Sequence, residues 1–286
     1  MMKILKKNMI VFDGDFLLYY CTMGNKVLDS DNNPVKEDGK FIYTEKTLDE
    51  VKSTADEIIT NLINRASGDF YVGYIGKSKS FRYEEYPEYK ANRKGDKPKW
   101  FKELEEYLIN HWKFIGLTNG LEADDAVNIV RNKLRGQYNI FIVTTDKDLI
   151  KCIPGRYINA RDCSIIRTTK EQARTAFWTS MITGDTVDNI KGIPKCGKKY
   201  AEKLFSNVDY STDSTHEKLV YKAYCEKFGS DADVEYTKNL KLLYILDDYE
   251  DLEIVINDVV GKEDGEDIGE EYRGCTREGD SFEASW

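Results

Sequence analysis

Short apolar runs alternate with amphipathic segments through the first 170 residues of the chain. Residues 9–12, 70–75 and 140–144 are runs of four to six mostly apolar residues, the length of a buried strand. Residues 48–66 and 123–134 instead place apolar residues three or four positions apart, which is typical of amphipathic helices. Because strands that alternate with helices pair in parallel, the pattern predicts an α/β fold with a mostly parallel sheet flanked by helices.

Beyond residue 170 the strand pattern fades. Four helical segments are predicted there, at residues 170–182, 198–205, 217–228 and 234–246. The last stretch is rich in Gly, Glu and Asp and contains few apolar residues, so we expect a mobile tail rather than a folded unit. The sequence therefore predicts three parts: a 1–170 α/β domain, a smaller 171–257 helical region and a 258–286 acidic tail.

Composition narrows the class of protein further. Apolar residues make up 41% of the 286 residues and charged residues 33%, which excludes a disordered or collagen-like chain. No run approaches the roughly 18 apolar residues that cross a membrane, and no signal peptide is predicted. The six cysteines are widely spaced without a zinc-binding pattern, so we expect reduced thiols and a cytoplasmic location.

The net charge of −9 is distributed unevenly along the chain. The acidic tail contains ten acidic and three basic residues, so the first 257 residues carry a net charge of only −2. Residues 77–102 contain nine basic and four acidic residues, and residues 191–203 contain five and one. Tyrosines and a tryptophan are mixed with the cations of the first stretch. Such patches favour contact with a phosphate backbone and stacking on bases.

Eight carboxylates follow predicted strands or open predicted helical parts. They are Asp13, Glu122, Asp124, Asp125, Asp146, Asp148, Asp185 and Asp188. Because the carboxyl ends of parallel strands meet at one edge of a sheet, we expect these acids to share a crevice, where they would repel one another. Hard divalent cations relieve that repulsion, and two of them roughly 4 Å apart activate water for attack on a phosphodiester. The acids therefore predict a site for two Mg²⁺ or Mn²⁺ ions.

Five motifs that contain or flank these acids follow one another along the chain. They are Val-Phe-Asp-Gly-Asp at residues 11–15, Tyr-Pro-Glu-Tyr-Lys-Ala-Asn-Arg-Lys at 86–94, Leu-Glu-Ala-Asp-Asp at 121–125, Thr-Thr-Asp-Lys-Asp at 144–148 and Gly-Asp-Thr-Val-Asp-Asn-Ile-Lys-Gly-Ile-Pro-Lys-Cys-Gly-Lys-Lys at 184–199. In these motifs and their order the chain resembles the bacteriophage and bacterial 5′-nucleases of the flap endonuclease superfamily. The resemblance implies a PIN-like nuclease domain that hydrolyses phosphodiester bonds at 5′ ends or flaps of DNA, as a 5′-3′ exonuclease and structure-specific endonuclease. It also implies RNA in RNA–DNA hybrids as a second substrate. Because no polymerase is fused to these motifs, we expect a free-standing, phage-type enzyme of DNA replication or degradation, located in the host cytoplasm if it is phage-encoded.

The resemblance implies a role for the residues of each motif. Asp13, Glu122, Asp124 and Asp125 would hold the first metal ion, and Asp146, Asp148, Asp185 and Asp188 the second. Lys90 and Arg93 would be catalytic, at the base of a basic arch over about residues 77–113 that contacts the scissile phosphate. DNA would contact Arg82, Tyr89, Lys94, Lys97, Lys195, Gly197, Lys198 and Lys199, with Tyr89 stacking on a base and residues 192–201 forming a helix-turn-helix element.

Two positions depart from the family pattern. The family carries an aspartate after the strand at 70–75, whereas Gly76 and Lys77 follow here, so water or Asp15 would replace it or the first ion would bind more weakly. The duplex-binding turn has Lys195 where the family has the first glycine of a Gly-x-Gly pair. A monovalent-ion site is therefore not carried over, and the lysine is expected to contact phosphate instead.

Two other functions fit part of the pattern. Asp13-x-Asp15 after a buried strand and Gly184-Asp185-x-x-Asp188 resemble motifs of haloacid-dehalogenase-type phosphatases, but five of the eight acids would then have no role. The missing aspartate also fits a DNA-structure-binding protein with impaired catalysis, although such a protein has no reason to keep repelling acids together. The chain is expected to be a monomer without membrane contact. Three roles are open for its acidic tail: competition with DNA for the basic surfaces, presentation of Phe282 and Trp286 to a replication protein, or solvation alone.

Overall fold

The structure, a computed structural model, describes residues 6–93, 95–206 and 213–259. Its elements follow along the chain as β1 (Asn8–Asp13), α1 (Asp15–Tyr20), β2 (Lys36–Glu37), β3 (Lys40–Phe41), α2 (Leu48–Arg65), β4 (Phe70–Gly76), α3 (Arg82–Glu85), α4 (Phe101–Asn110), β5 (Ile115–Leu117), α5 (Ala123–Leu134), β6 (Asn139–Thr144), α6 (Lys147–Cys152), β7 (Gly155–Asn159), β8 (Ile165–Thr168), α7 (Lys170–Thr183), β9 (Gly184–Asp185), β10 (Ile190–Lys191), α8 (Lys198–Phe205), α9 (Asp213–Phe228), a 3₁₀ turn (Gly229–Asp231), α10 (Ala232–Leu243) and β11 (Asn257–Asp258). The three predicted strands are β1, β4 and β6, and the first two predicted helices are α2 and α5.

The central sheet is mostly parallel. Its strands lie in the order β11-β4-β1-β6-β7-β8, with β5 paired to the C-terminal half of β4. The strand β1 pairs in parallel with both β4 and β6, and β7 runs parallel to β6. The strands β8 and β11 are antiparallel to their neighbours. The predicted α/β fold with a mostly parallel sheet and a helical C-terminal region is therefore confirmed.

Helices cover both faces of the sheet because β1 is apolar on both sides. Ile10 and Phe12 belong to a core that includes residues of α1, α2 and α4. Met9 and Val11 belong to a second core, formed largely with α5. All four side chains are 0% exposed, as expected for a central strand of a parallel sheet. Burial on both faces is what a central position of β1 in the sheet requires. The last residue of β1 lies at the carboxyl edge of the sheet.

The register of the strands brings their ends together at that edge. Asp13, the last residue of β1, pairs with Tyr74 of β4. Phe12 pairs with Val143 of β6, which places Thr144 next to Asp13. The segments that follow β1, β4 and β6 therefore open on one crevice, as the carboxyl ends of parallel strands do.

The last helix ends earlier than its apolar pattern predicts. The helix α10 stops at Leu243, whereas the prediction extended it to residue 246. The N–H of Leu246 donates to Asp125 Oδ1 of α5 at 3.0 Å, so a tertiary partner replaces a helical one. Ile245 then packs into the second core, and β11 adds Asp258 to the sheet. The chain thus returns to the sheet after the helical region.

The helices α7, α8, α9 and α10 enclose a core of their own, which includes Trp178, Met181 and Tyr224. The β9–β10 hairpin follows α7, and a turn then leads into α8. Residues 260–286, most of the predicted acidic tail, lie outside the described residues. Within the described part of the chain, no helix is both long enough and apolar enough to cross a membrane.

Candidate active site

Asp13 and Thr144 meet at the carboxyl edge of the sheet. Asp13 is only 7% exposed, and Thr144 Oγ1 donates a hydrogen bond of 2.7 Å to its Oδ2. Burial, followed by the charges of Asp15 and Asp146, raises the pKa of Asp13 to about 7. A neighbouring cation would keep this carboxylate ionised at neutral pH. Sequence reasoning missed Thr144, although its position two residues before Asp146 was an available signal.

Asp15 begins α1 but lies against the end of β4. Its Oδ1 accepts a hydrogen bond of 2.9 Å from the N–H of Gly76. A side chain at Gly76 would place its Cβ 3.3 Å from Asp15 Oδ2, so the glycine leaves room for this carboxylate. Burial raises the pKa of Asp15 to about 6. Asp15 thus brings a carboxylate to the end of β4, where the resemblance leads us to expect an aspartate.

Three of the four acids predicted for the second ion lie together. Asp146 caps α6, and its Oδ1 accepts from the N–H groups of Asp148 and Leu149 at 2.6 and 3.4 Å. Burial, followed by the charges of Asp146 and Asp185, raises the pKa of Asp148 to about 7. Asp185 is the last residue of β9, and its Oδ1 accepts from the N–H of Val187 at 2.7 Å.

Asp188, the fourth of these acids, contacts a different set of residues. The hydroxyl of Tyr89 bridges two carboxylates, since it lies 2.9 Å from Glu122 Oε2 and 3.3 Å from Asp188 Oδ2. Arg93 pairs with Oδ1 of Asp188, and Lys90 Nζ lies 3.8 Å from its Oδ2. Asp188 therefore lies with Glu122 and the base of the arch.

Glu122 and Asp124 stand at the start of α5. One oxygen from each of Glu122, Asp124 and Asp125 lies within 4.8 Å of the others. Burial opposes the ionisation of Glu122, but Lys90 and Arg82 hold its pKa below the ordinary value. Burial, and then Asp125 and Glu122, raises the pKa of Asp124 well above its ordinary value. Carboxylates this close together suit a divalent cation.

Arg82 and Asp125 form a buried ion pair. Arg82 is 2% exposed and Asp125 0%, and Nη1 and Nη2 of the guanidinium donate to Oδ2 and Oδ1 at 2.7 and 2.8 Å. Arg82 also donates to Glu122 and to the carbonyls of Leu242 and Tyr244. The predicted contact of Arg82 with DNA is therefore wrong, because its guanidinium is enclosed. Asp125 lies near the other acids, but each of its oxygens already accepts two hydrogen bonds, so we reassign it from metal ligand to counter-ion.

Tyr89 is buried as well. Its side chain is 2% exposed, and its ring meets that of Tyr83 edge-on at a centroid distance of 5.3 Å. The prediction that Tyr89 stacks on a base is therefore wrong, since its faces are covered. Its hydroxyl instead holds Glu122 and Asp188 in fixed positions.

Lys90 and Arg93, the two predicted catalytic cations, lie against the acids. Lys90 Nζ pairs with Glu122 Oε1, and the N–H of Lys90 donates to the Asp188 carbonyl at 2.9 Å. Lys90 has a φ of 56°, a left-handed conformation that residues with side chains rarely adopt, so tertiary contacts hold the base of the arch. The side chain of Arg93 is 54% exposed and accessible to a phosphate.

The remaining predicted DNA contacts lie on the surface. Lys97, Lys195, Gly197, Lys198 and Lys199 are exposed, whereas Lys94 falls outside the described residues. Gly197 caps α8, and, apart from its own atoms and those of its two chain neighbours, none of the described atoms lies within 4 Å of the position a Cβ would take there. The start of α8 is therefore open to an approaching phosphate.

The backbone of Lys195 supports a separate prediction. Its φ of 63° lies in the left-handed region, which costs a residue with a side chain about 1 kcal/mol relative to glycine. We expect Lys195→Gly to raise the melting temperature by about 2 °C. The same change removes a cation, so DNA binding should weaken and depend less on salt. Lys199→Gly, inside α8, serves as the control and should lower the melting temperature. A similar drop in Lys195→Gly would show that the backbone of Lys195 is not strained.

Five of the acids open into a cleft of about 950 Å³: Asp124, Asp146, Asp148, Asp185 and Asp188. Its lining includes Lys147 and Lys151 of α6, Thr175 and Thr179 of α7, and Lys198 of α8. Ammonium and hydroxyl groups of this kind contact phosphate oxygens. Sequence reasoning missed the residues of α6 and α7, although the spacing of four between the two threonines places them on one helical face.

Comparison with known proteins matches residues 44–182 to a family model described as the 5′-3′ exonuclease, N-terminal resolvase-like domain. The 5′-3′ exonuclease of Buchnera aphidicola subsp. Schizaphis graminum is 29% identical over 224 residues, which cover 71% of this chain and 72% of that protein. DNA polymerase I of Pseudomonas aeruginosa is 27% identical over 178 residues, 58% of this chain but only 19% of the polymerase. The chain therefore spans most of the exonuclease and less than a fifth of the polymerase.

Solved structures share the fold. The bacteriophage T5 flap endonuclease, in a complex with DNA and metal ions, has a TM-score of 0.53 and 16% identity and covers 83% of this chain and 99% of its own. A variant of the T5 5′-exonuclease has a TM-score of 0.52 and 15% identity, with coverages of 84% and 100%. The phosphatase alternative loses its support, because the matched domain and the fold are those of 5′-nucleases. By its motifs, its matched domain and its relatives, the chain is similar to 5′-3′ exonucleases, and it shares the fold of the T5 flap endonuclease.

Proposed function

We propose that the protein is a metal-dependent 5′-nuclease that hydrolyses phosphodiester bonds at 5′ ends and flaps of DNA. The observation that carries the proposal is the opening of Asp124, Asp146, Asp148 and Asp185 into one cleft that lysines also line. Carboxylates bind hard divalent cations, and lysines attract the phosphate backbone. We extend the proposal to RNA in RNA–DNA hybrids, which the resemblance implies as a second substrate.

The donor set fits divalent cations, since the acids are oxygen ligands, and burial followed by the charges of neighbouring acids raises the pKa values of Asp13 and Asp148 to about 7. Two groups of acids would hold two Mg²⁺ or Mn²⁺ ions: Asp13, Glu122 and Asp124 in one group, and Asp146, Asp148 and Asp185 in the other, with Asp188 beside Glu122. Bound ions supply an activated water for in-line attack and neutralise negative charge on the phosphate. Thr144 and Tyr89 orient the carboxylates by donating hydrogen bonds to them.

The cations at the rim position the substrate in this proposal. Arg93 is exposed and meets the incoming phosphate, whereas Lys90 lies deeper, with a side chain 16% exposed, beside the carboxylates. Lys147 and Thr175 contact a DNA strand along the wall of the cleft. The positive charge of Lys90 then stabilises the negative charge that develops on the phosphate during cleavage.

A cleavage assay tests the proposed function. A 5′-labelled duplex with a 5′ flap is incubated with Mg²⁺, and EDTA serves as the control. We expect short labelled products and 3′-hydroxyl ends with Mg²⁺ and intact DNA with EDTA, while a small phosphomonoester stays intact. Binding of the DNA without cleavage in either Mg²⁺ or Mn²⁺ would overturn the proposal in favour of a DNA-structure-binding protein.

Lys90 and Lys97 are expected to act differently in that assay. Lys90→Ala should reduce single-turnover cleavage at least about 10-fold and weaken DNA binding less, since it removes a charge beside the reacting phosphate. Lys97 is exposed, with Nζ 4.3 Å from the ring centroid of Phe101. Lys97→Ala should instead lower DNA affinity and flatten its salt dependence. If both variants change the cleavage rate and the DNA affinity equally, the lysines of the arch act only by attracting DNA through their charge.

The acidic tail, whose residues 260–286 lie outside the described residues, is proposed to dock a replication protein through Phe282 and Trp286 of a monomeric enzyme. Docking of that kind predicts that truncation after Val260 leaves DNA affinity unchanged at low salt. Tighter binding by the truncated protein would show instead that the tail competes with DNA for the basic surfaces, because salt screens such competition.

A further inference from the structure

The turn between β1 and α1 is held tightly against the end of β4. The N–H of Gly14 donates to the Tyr74 carbonyl at 2.8 Å, and a Cβ at Gly14 would lie only 2.6 Å from that oxygen. A side chain at Gly14 would therefore push the turn away from the strand. In the next residue, Asp15 Oδ1 accepts from the N–H of Gly76 at 2.9 Å. Together these contacts fix the position of the Asp15 carboxylate relative to β4.

The second oxygen of this carboxylate is free. Within the described part of the chain, no hydrogen-bond donor pairs with Asp15 Oδ2. Asp125 differs in this respect, since each of its oxygens accepts two hydrogen bonds. A carboxylate held through one oxygen keeps the other available to a divalent cation.

Asp15 lies close to the acids proposed for the first ion. After burial, the charge of Asp15 contributes most to raising the pKa of Asp13. Burial, and after it the charge of Glu122, raises the pKa of Asp15, while the hydrogen bond from Gly76 lowers it. Because the interaction between two charges falls with distance and is screened by water, such mutual effects require near neighbours. By position, Asp15 therefore belongs to the first group of acids.

The end of β4 leaves space for the Asp15 carboxylate. Gly76 is the last residue of β4, and its φ lies outside the left-handed region, so its backbone does not require a glycine. Apart from the atoms of Gly76 and its two chain neighbours, the described atoms within 4 Å of a Cβ at this position are the two oxygens of Asp15, at 3.3 and 3.8 Å. The Asp15 carboxylate thus occupies the space that a side chain of residue 76 would fill.

We propose that Asp15 is a ligand of the first divalent cation, together with Asp13, Glu122 and Asp124. The proposal rests on the proposed metal-dependent nuclease function and adds one residue to its first group of acids. Because Asp15 approaches this group through the space beside Gly76, a carboxylate carried by residue 76 should be able to replace it. Exchanging the two residues therefore tests the assignment.

The experiment measures Mn²⁺ binding to the full chain by titration calorimetry without DNA. The wild type is expected to bind two ions. Asp15→Asn keeps an oxygen that accepts from the N–H of Gly76 but loses the charge, so it should weaken binding of one ion at least about 10-fold and leave the other unchanged. Asp49→Asn removes an exposed acid from the first turn of α2 and is the matched control, which should leave both ions unchanged.

The exchange of the two residues is the second measurement. Asp15→Ala should lose the same Mn²⁺ affinity as Asp15→Asn. Adding Gly76→Asp to Asp15→Ala should recover part of it, since a carboxylate then projects from β4 into the same space. Gly76→Asp in the wild type should instead lower the melting temperature in EDTA, because it brings a second carboxylate against that of Asp15.

Binding of both Mn²⁺ ions by Asp15→Asn with wild-type affinity would overturn the proposal and leave the nuclease function intact. Equal weakening of both ions, together with a lower melting temperature in EDTA, would overturn it as well, because Asp15 would then only support the fold. If Asp15→Asn does not fold, Gly76→Ala takes its place. Its methyl group would lie 3.3 Å from Asp15 Oδ2 and should weaken binding of the same ion by displacing that oxygen.

The cleavage assay is a separate test. A wild type that binds Mn²⁺ through Asp15 but cuts no DNA would support Asp15 as a ligand and overturn only the nuclease proposal.

Discussion

Asp185→Asn is expected to reduce single-turnover cleavage of flap DNA by at least about 100-fold while leaving DNA affinity nearly unchanged. Changes to residues that only support metal ligands already cost about 10- to 100-fold, and Asp185 is proposed as a ligand. Asparagine keeps the oxygen that accepts from the N–H of Val187 at 2.7 Å, so the local turn is retained and only the charge is lost. Asp185 lies near Asp148, and the loss of one charge weakens binding of a cation between them.

Two measurements separate this explanation from a general defect. The affinity of Asp185→Asn for Mn²⁺, measured by titration calorimetry without DNA, should fall together with the cleavage rate. Asp248→Asn is the control, because Asp248 is 76% exposed and pairs with Lys133 at the opposite end of α5. It should leave both the rate and the Mn²⁺ affinity unchanged. Full turnover in Asp185→Asn would refute the assignment of the second group of acids.

Arg82→Met is expected to lower the free energy of unfolding by about 3–5 kcal/mol, because it leaves Asp125 as an uncompensated charge at 0% exposure. The guanidinium also ties three parts of the chain together, since it donates to Asp125 of α5 and to the carbonyls of Leu242 and Tyr244. Its loss therefore removes buried hydrogen bonds as well as the ion pair. Denaturant unfolding of the full chain gives the measurement.

The matched control for Arg82 is Lys241, which joins α10 to α3 through Glu85 at 2.7 Å but is about half exposed. An exposed pair contributes at most about 1 kcal/mol, so Lys241→Met should have a small effect. Adding Asp125→Asn to Arg82→Met should recover part of the lost stability, since the buried charge is then removed as well. If Arg82→Met instead keeps the stability of the wild type but binds DNA more weakly and with less dependence on salt, then Arg82 contacts DNA.

Three central strands and two helices of the sheet domain were predictable because local backbone geometry determines the spacing of apolar residues. The segment 123–134 forms α5 with the predicted bounds, and the runs at 9–12, 70–75 and 140–144 form three adjacent parallel strands. The end of α10 was not predictable in this way. Just past that end, the N–H of Leu246 donates to the Asp125 side chain, more than a hundred positions away in sequence, and apolar periodicity carries no information about such a contact.

The acids of the site were predictable as candidates because each follows a strand or opens a helical part, where polar side chains reach the carboxyl edge of a parallel sheet. Sequence reasoning could not separate Asp125 from Asp124, since both stand in the first turn of the same helix. The structure separates them, because only Asp125 is reached by the guanidinium of Arg82. Arg82 and Tyr89 are each only 2% exposed, so their side chains are not free at the surface to contact DNA.

The sequence by itself determined three central strands, several of the helices, the placement of acids at strand ends and the two basic stretches, since all of these depend on residues close together along the chain. Only the tertiary structure decided which charges are buried as partners and which remain at the cleft. It placed Asp188 with Glu122 through the hydroxyl of Tyr89, and it brought Tyr19 and Tyr43 to the same groove as Trp100. The physical reason is that burial and ion pairing depend on the packing of segments 30 to 160 residues apart, as in the bond from Arg82 to the Leu242 carbonyl across 160 positions.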